Sequence, residues 1–538
     1  MIRRFIKRIS DILKTISEWS KKHQTLTALF IAVLFTAVHI PLVLNHEISS
    51  DEGIVWGLSK RINVSNIYEM NSVEPHPLLW EVMLAPFSQI GLPIITMNFI
   101  SLFFVALAVF LFVRFAPFGS IGKTIFILSS SFFYFNPVIA RDYSLIPLAI
   151  CLVCMAYKNR HEKPFRYGLA LAFLAQTHFL MYGFLAALVL GFIVETIFNK
   201  KSLKSKVLAI IILLIPVGLS LASVVPEAVG SLNNHAIINN NDTRREVVQV
   251  DFYAHAIGNY FGAYTEVMKW LVAVYLGVMF IAICFEKAKI GAYLAAGVGL
   301  WGFVLANIYQ NYYVFDQKVI IISLLLLSAA WMLNLEEINP KNGKILNHIE
   351  LIKYLKTKTK TKRPAIVLIY LFVALTIPRA FAVAITDYRE PYANSNEIAA
   401  FVNEKIEDGA LVLEGDATAI YSFSIATYEQ VKKDVTFFNV LLNDIDDVNL
   451  KLKYDGKDHE LYGNYTRLTA EELQMLLDSA DKAFEHIYYV GMPKNNCSGD
   501  KERPYAEIMD NYEKVGELNS FSYYLEGAEP ILEVYKIK

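Results

Sequence analysis

Two adjacent carboxylates, Asp51 and Glu52, stand a few residues beyond the first long apolar run, in the stretch His46-Glu47-Ile48-Ser49-Ser50-Asp51-Glu52. A carboxylate within hydrogen-bond reach of an attacking hydroxyl can take its proton, a contribution of about 10²–10⁴ in rate. The same residues also read as a helix start. Ser49-x-x-Glu52 is a capping box, and acids in a first turn offset the helix dipole by about 0.3–1 kcal/mol each. Ile54, Val55 and Leu58 make the helix that would follow amphipathic and suited to a membrane interface. Further on comes Glu74-Pro75-His76-Pro77-Leu78. Two prolines hold the backbone around His76 extended, so its imidazole is presented rigidly, although a proline-rich turn can also do no more than change direction.

Other groups with chemical potential sit at the borders of apolar runs. Ala140-Arg141-Asp142-Tyr143-Ser144-Leu145 opens one run, and Thr177-His178-Phe179 interrupts another. His178 there can bond a backbone carbonyl freed between two short helices. Lys318 follows the aromatic stretch Tyr312-Tyr313-Val314-Phe315, either as a cation for an anionic group or as a snorkelling anchor. Cys151 and Cys154 are spaced like a redox pair but lie in an apolar run with no polar site around them, so they read as packing.

The elements that must position these groups are membrane helices. The chain has 538 residues, of which 55% are hydrophobic and only 19% charged, too apolar for a soluble enzyme and far too apolar for disorder. Fifty basic against 51 acidic residues leave no surplus for a polyanion, so nucleic acid is not an expected partner. The four cysteines make no disulfide framework. A basic leader, residues 1–24, precedes the run Thr25 to Leu44, which reads as a retained anchor. Further runs at roughly 93–113, 124–139, 143–157, 168–180, 181–198, 207–225, 270–285, 290–309, 319–334 and 365–384 bring the expectation to about eleven spans. The long stretch from Tyr167 to Phe198 is counted as two short helices meeting near His178. That count keeps Lys158, Arg160, Lys163, Arg166, Lys200, Lys201 and the Lys353 to Arg363 cluster on the side of the N-terminus, as the positive-inside rule asks. The N-terminus is then cytoplasmic and the C-terminus is not.

This orientation turns three segments outward: a first loop of about 45–92, a loop of about 226–269, and everything beyond about 385. The chain therefore divides into a membrane domain, residues 25–384, and a C-terminal extracytoplasmic α/β domain, 385–538. In the latter, helical periodicity at Ile398, Phe401, Val402 and Ile406 alternates with strand-like runs at 410–413, 435–438 and 486–490. Thr469-x-x-Glu472 is a further helix start. With no glycine-rich phosphate loop and no metal-ligand cluster, this domain is expected to cover the membrane domain or shape an acceptor site.

A first span followed by Asp-Glu, an amphipathic outer loop with a His-Pro motif before the second span, then Ala140-Arg141-Asp142-Tyr143-Ser144-Leu145 and Thr177-His178-Phe179, resembles the polytopic C-type glycosyltransferases. These include protein O-mannosyltransferases, lipid A aminoarabinose transferases and lipopolysaccharide-core transferases. The resemblance covers about 25–200 by motif and the rest by architecture. Pro75-His76-Pro77-Leu78 stands where the family has His-Pro-Pro-Leu, and the arginine that often follows Asp-Glu is absent, with Lys60 and Arg61 as substitutes.

The resemblance implies transfer of a sugar from a polyprenyl-phosphate carrier to a lipid, glycan or protein acceptor of the envelope, with inversion, in a bacterial-type plasma or inner membrane. By analogy Asp51 is the general base and Glu52 its support. Arg141, His76, Lys318, Lys60 and Arg61 are the candidates for the donor phosphate, and Tyr143, His178 and Glu74 for substrate contacts. No metal site is expected, though some relatives use a divalent ion, for which His46, Glu47 and the Asp51-Glu52 pair are the available ligands. A membrane transporter remains a rival reading. So does a carrier-lipid-dependent glycan polymerase or ligase, which would use His235, Arg244, Arg245 and His255 in the 226–269 loop.

Overall fold

A computed structural model describes residues 22–65, 67, 77–223, 266–308, 316–336, 363–389, 392–393, 395–414, 430–439, 473–474, 477–478, 480–491, 506–519 and 531–538. The first helix, α1 (Gln24–Asn45), is apolar on every side, as a lipid-facing helix must be, with Leu26, Phe30 and Val33 more than half exposed. Beyond its end α2 (Ser50–Arg61) and α3 (Leu79–Gln89) pack together through Val55, Trp56, Trp80 and Leu84 in one buried cluster with Met97, Ala140 and Leu145, with the Ser59 hydroxyl donating to Ser88 Oγ at 2.9 Å. The bundle continues with α4 (Thr96–Phe115), α5 (Ser120–Leu128), a one-turn α6 (Phe135–Val138), a 3-10 turn (Asp142–Leu145) and α7 (Ile146–Tyr157). Then follow α8 (Pro164–Ala175), a 3-10 turn (Phe179–Met181), α9 (Tyr182–Ile197), α10 (Leu203–Ala222), α11 (Glu266–Glu286), α12 (Ala288–Ile308), α13 (Asp316–Leu335) and α14 (Pro364–Arg389).

Six helices among the described residues are long and apolar enough to cross a bilayer, which makes this an integral membrane protein. The eleven expected spans do not all appear as such helices, and the reasons are local. The run at 124–139 is broken: α5 stops at Ser129-Ser130-Ser131 and only one turn of helix follows. Proline at the first turn sets the start of α7 and α8, and each is only 12 residues long. The run from Tyr167 to Phe198 divides at Gln176-Thr177-His178 into α8 and α9.

Irregular backbone inside a membrane needs internal partners. The broken segment finds them in buried side chains of its neighbours: Ser101 donates to the Asn136 carbonyl at 2.7 Å and Asn98 to that of Val138 at 2.9 Å. Asn136 donates to the Ser131 carbonyl at 2.9 Å, and His39, in the middle of α1, donates Nε2–H to the Phe133 carbonyl. Glycine permits close helix approach elsewhere. Gly183 of α9 lies against the Ala296 carbonyl of α12 with no room for a Cβ. Cys151 and Cys154 are buried free thiols.

Beyond α14, which runs on to Arg389, α15 (Ser395–Lys405) leads into a sheet of β1 (Leu411–Glu414), β2 (Thr436–Asn439), β3 (Ile487–Gly491), β4 (Glu513–Asn519) and β5 (Ile531–Lys536). The strand order is β2-β1-β3-β5-β4, with the first three parallel and β5 antiparallel to both β3 and β4. Alternation along β1 and β3 splits their side chains between two cores. Val412, Tyr488 and Val490 pack with Ile398 and Val402 of α15 and with Ile406 just beyond it, and Leu411, Leu413, Ile487 and Tyr489 pack with Leu473 and Leu477 on the other face. The expected 226–269 loop ends earlier than its assigned bound, since α11 begins at Glu266; the rest of it, with His235, Arg244, Arg245 and His255, and the Thr469-x-x-Glu472 helix start fall outside the described residues.

Candidate functional site

A buried polar network is centred on Glu52. Ser49 caps α2: its hydroxyl accepts from the Glu52 backbone N–H at 3.5 Å, and Glu52 Oε2 accepts from the Ser49 backbone N–H and hydroxyl, each at 2.9 Å. The capping box is therefore real, and it accounts for only part of what Glu52 does. Oε2 also accepts from His46 Nε2 at 3.1 Å, while Oε1 accepts from Asn98 Nδ2 at 3.0 Å and from the Ala140 backbone N–H at 2.8 Å. One fully buried carboxylate thus ties together the end of α1, the start of α2, the first turn of α4 and the loop that carries Arg141.

His46 holds the other side of this network. Its Nδ1 donates to Asp387 Oδ2 at 3.0 Å, near the end of α14. Both ring nitrogens face carboxylate oxygens, so the ring is an imidazolium shared by Glu52 and Asp387. Burial by itself would push the imidazole down. Glu52 and Asp387 outweigh it and hold His46 up to about 10. For Glu52 burial acts upward, and the His46 cation with the Ala140 and Ser49 amides brings it below the usual carboxylate range. The donor set does not fit a divalent ion at His46, because neither ring nitrogen keeps a lone pair to offer one.

The neighbours of His46 connect the site to the C-terminal domain. Asn45 donates to the carbonyls of Asp387 at 3.3 Å and Tyr388 at 3.0 Å, and Tyr392 lies 4.5 Å from the His46 ring, centroid to centroid. Glu47 accepts from the Ser395 hydroxyl at 3.1 Å and the Asn396 backbone N–H at 2.6 Å, so it caps the first turn of α15. Burial raises the Glu47 carboxyl, and these donors and His46 offset that only in part. Glu47 is therefore a helix cap joining two parts of the chain, not a free metal ligand.

Arg141 follows Ala140 directly and is half-buried. Asp142 Oδ1 accepts from the Tyr143 backbone N–H at 3.0 Å, and Asp142 Oδ2 lies 3.9 Å from His178 Nε2. His178 Nδ1 accepts from the Leu180 backbone N–H at 3.0 Å, which fixes the tautomer with the proton on Nε2, toward Asp142. The Tyr143 and His178 rings are 4.4 Å apart. The structure therefore brings Glu52, Arg141, Asp142, Tyr143 and His178 into one connected region.

Other expected residues stand differently. Asp51 is the second residue of α2, and its side chain lies outside the described set, as does that of Lys318 in the first turn of α13. Glu74 and His76 fall outside it altogether. Lys60 and Arg61 are exposed in the last turn of α2, roughly 13 Å along the helix from Glu52, and are not part of its network. Sequence reasoning missed Asp387 and Asn98 and undervalued His46. The signal that existed was their type: each is a polar or charged residue at the border of an apolar run, where polar groups are costly and kept for a purpose.

Among the described residues no group of three or more His, Cys, Asp or Glu side chains is arranged to hold a metal ion. No protein-family model matches the chain, and no curated protein matches it.

Proposed function

We propose that this chain is a membrane glycosyltransferase of the C-type fold. It moves a sugar from a polyprenyl-phosphate carrier to an envelope acceptor on the extracytoplasmic face. The observation that carries this reading is that Glu52, next to Asp51 in the first turn of α2, accepts from the backbone N–H of Ala140, next to Arg141. The segment expected to supply the base and the segment expected to supply the phosphate cation are thereby held next to each other.

In this reading the acceptor oxygen attacks the anomeric carbon, the bond from that carbon to the phosphate oxygen breaks, and polyprenyl phosphate leaves with the bonding electrons. Asp51 takes the hydroxyl proton as attack proceeds. Arg141 meets the charge that grows on the leaving phosphate, at a partly buried position where an ion pair is stronger than in water. Glu52 and His46 do not touch substrate in this account. They hold the start of α2 beside the Ala140-Arg141 segment.

The proposed topology has a cytoplasmic N-terminus and about eleven passes, several of them short or broken. Its support is the alternation of helix ends: the His46 network gathers the ends of α1 and α14 with the start of α4. At the opposite pole Arg160, Glu195, Lys289 and Glu336 gather the ends of α7, α9 and α13 with the start of α12. The exposed bases Lys158, Lys163, Lys200 and Lys201 are at that second pole, the cytoplasmic one under the positive-inside rule.

The test is mass spectrometry of envelope lipids, glycans and glycoproteins from cells lacking the protein and from complemented cells. One sugar-sized mass is expected to vanish with the deletion and return with the wild-type chain. An unchanged glycan profile would remove the transferase reading and put a transporter first.

A further inference from the structure

The bases at the second pole, around Arg160, are held in one surface. Lys201, between α9 and α10, donates to the His161 carbonyl, between α7 and α8, at 3.3 Å, and so ties the two loops together. Residues 158–206 carry eight Lys or Arg against two acids. Of those acids Glu195 is engaged by Arg160 at 2.9 Å, Lys289 at 2.7 Å and His161 at 3.0 Å, which leaves Glu162 as the exposed one. Lys200, Lys201 and Lys204 are all exposed. Lys204 stands in the first turn of α10, which holds no acid and where the helix dipole already presents positive charge. Helix end and side chain carry the same sign there, so an anion would relieve both.

Arg166 adds a cation at a different depth. α8 and α10 run side by side in the same direction: Ser220 Oγ donates to the Ala172 carbonyl and Gln176 Nε2 to the Ser220 carbonyl, each at 2.9 Å, and Gly168 lies against the Leu213 carbonyl. These contacts put Arg166 level with Ile211, roughly 10 Å deeper along the helix axis than Lys204. Arg166 is exposed, and so are Phe165 and Leu169 beside it on α8 and Leu208 and Ile211 at the same level of α10. The positive-inside rule accounts for bases in the loops. It does not call for a guanidinium among exposed apolar side chains, which must reach up to the headgroup level to be satisfied.

We propose that this surface binds an anionic phospholipid, with the phosphodiester on Arg166, the rim of Lys200, Lys201 and Lys204 above it, and the acyl chains along the exposed apolar side chains of α8 and α10. The planar guanidinium matches two phosphate oxygens at once, and the lysines act as point charges on a headgroup of net negative sign. A soluble phosphate gains the charge without the apolar contact, and a zwitterionic lipid gains the contact with less of the charge. The proposal rests on the membrane class of the chain and not on the transferase reading.

The experiment is native mass spectrometry of the full-length protein in detergent micelles, titrated with phosphatidylglycerol, with phosphatidylcholine of the same acyl chains, and with inorganic phosphate. Phosphatidylglycerol is expected to bind about tenfold more tightly than phosphatidylcholine, and millimolar phosphate is expected not to displace it. Arg166→Gln, and separately the double variant Lys200→Gln with Lys204→Gln, should each weaken phosphatidylglycerol about tenfold and leave phosphatidylcholine unchanged, since a base beside an anionic headgroup is worth about fivefold or more in binding. Arg166→Lys keeps the charge and should retain most of the affinity. Thermal unfolding in phosphatidylcholine, expected to match wild type, checks that the variants are folded. Equal affinity for the two lipids, phosphatidylglycerol binding unchanged in Arg166→Gln or in the lysine variant, or displacement of the lipid by phosphate overturns the proposal.

Discussion

At the His46 pole one imidazolium lies between two carboxylates whose side chains are at most 3% exposed, and backbone amides and Asn98 supply the remaining donors. The Arg160 pole is also charged but is built from more cations and is wetter. Arg160, Lys289 and Lys287 share Glu195 and Glu336, with side-chain exposures of 10–30%, and Tyr157 donates to Glu336 at 2.9 Å. The difference separates two uses of charge. A dry network with one cation fixes loop positions and fails when one member is lost, whereas a wet network with several cations fastens helix ends and tolerates a loss.

The largest expected effect follows from Glu52→Gln. The new amide would set an N–H against His46 or the Ser49 amide, and the imidazolium would lose its main partner. Unfolding followed by intrinsic fluorescence in detergent should show a loss of about 3–5 kcal/mol. A loss below 1 kcal/mol would place Glu52 in the same class as the residues of the opposite pole.

His46→Gln comes next, at about 2–3 kcal/mol, since it leaves Asp387 and Glu52 without their shared cation. It also carries a pH signature. Because the His46 ring is raised from 6.5 to about 10, its stabilising contribution is complete below pH 6.5 and is lost as pH rises toward 10. Wild type should therefore lose stability over that interval, and His46→Gln should lose less. Equal alkaline slopes in the two proteins would show that the ring is not a buried cation.

Much of this contrast was legible in the sequence only as separate pieces. Apolar runs gave the membrane class because hydrophobicity of that length has few other uses, and the strands at 410–413, 435–438 and 486–490 lie close to β1, β2 and β3. Ser129-Ser130-Ser131 was hidden inside the run at 124–139, since three hydroxyls barely lower its hydropathy, yet their freed backbone is where a helix stops. The Asp51-Glu52 and Arg141 motifs were visible as local strings. Their connection through Glu52 to Ala140 was not, because a backbone amide carries no sequence signature. Nor was the His46 to Asp387 bond, which spans 341 positions with no periodicity to announce it.

Smaller effects belong to the opposite pole and to the Glu47 cap. Glu195→Gln should cost about 1 kcal/mol, because Glu336 still serves the same cations, and transfer should remain at the wild-type level. A loss of transfer there with normal membrane insertion would erase the functional distinction between the poles. Glu47→Gln should change stability by only about 0.5 kcal/mol, since its amide oxygen can still accept from Ser395 and Asn396. The raised Glu47 carboxyl makes its ionised form the costly one, so Glu47 favours folding more as pH falls through its pKa, opposite in sign to the lowered Glu52. Thermal unfolding across the acidic range in Glu47→Gln reads that sign directly.

The most direct measurement pairs Asp51→Asn with Glu195→Gln in cells lacking the native protein, at matched expression and insertion, and reads envelope glycans by mass spectrometry. The account predicts that Glu195→Gln restores the missing sugar and Asp51→Asn does not. Full restoration by Asp51→Asn would leave Asp51 as a first-turn helix residue and contradict the assignment of the base.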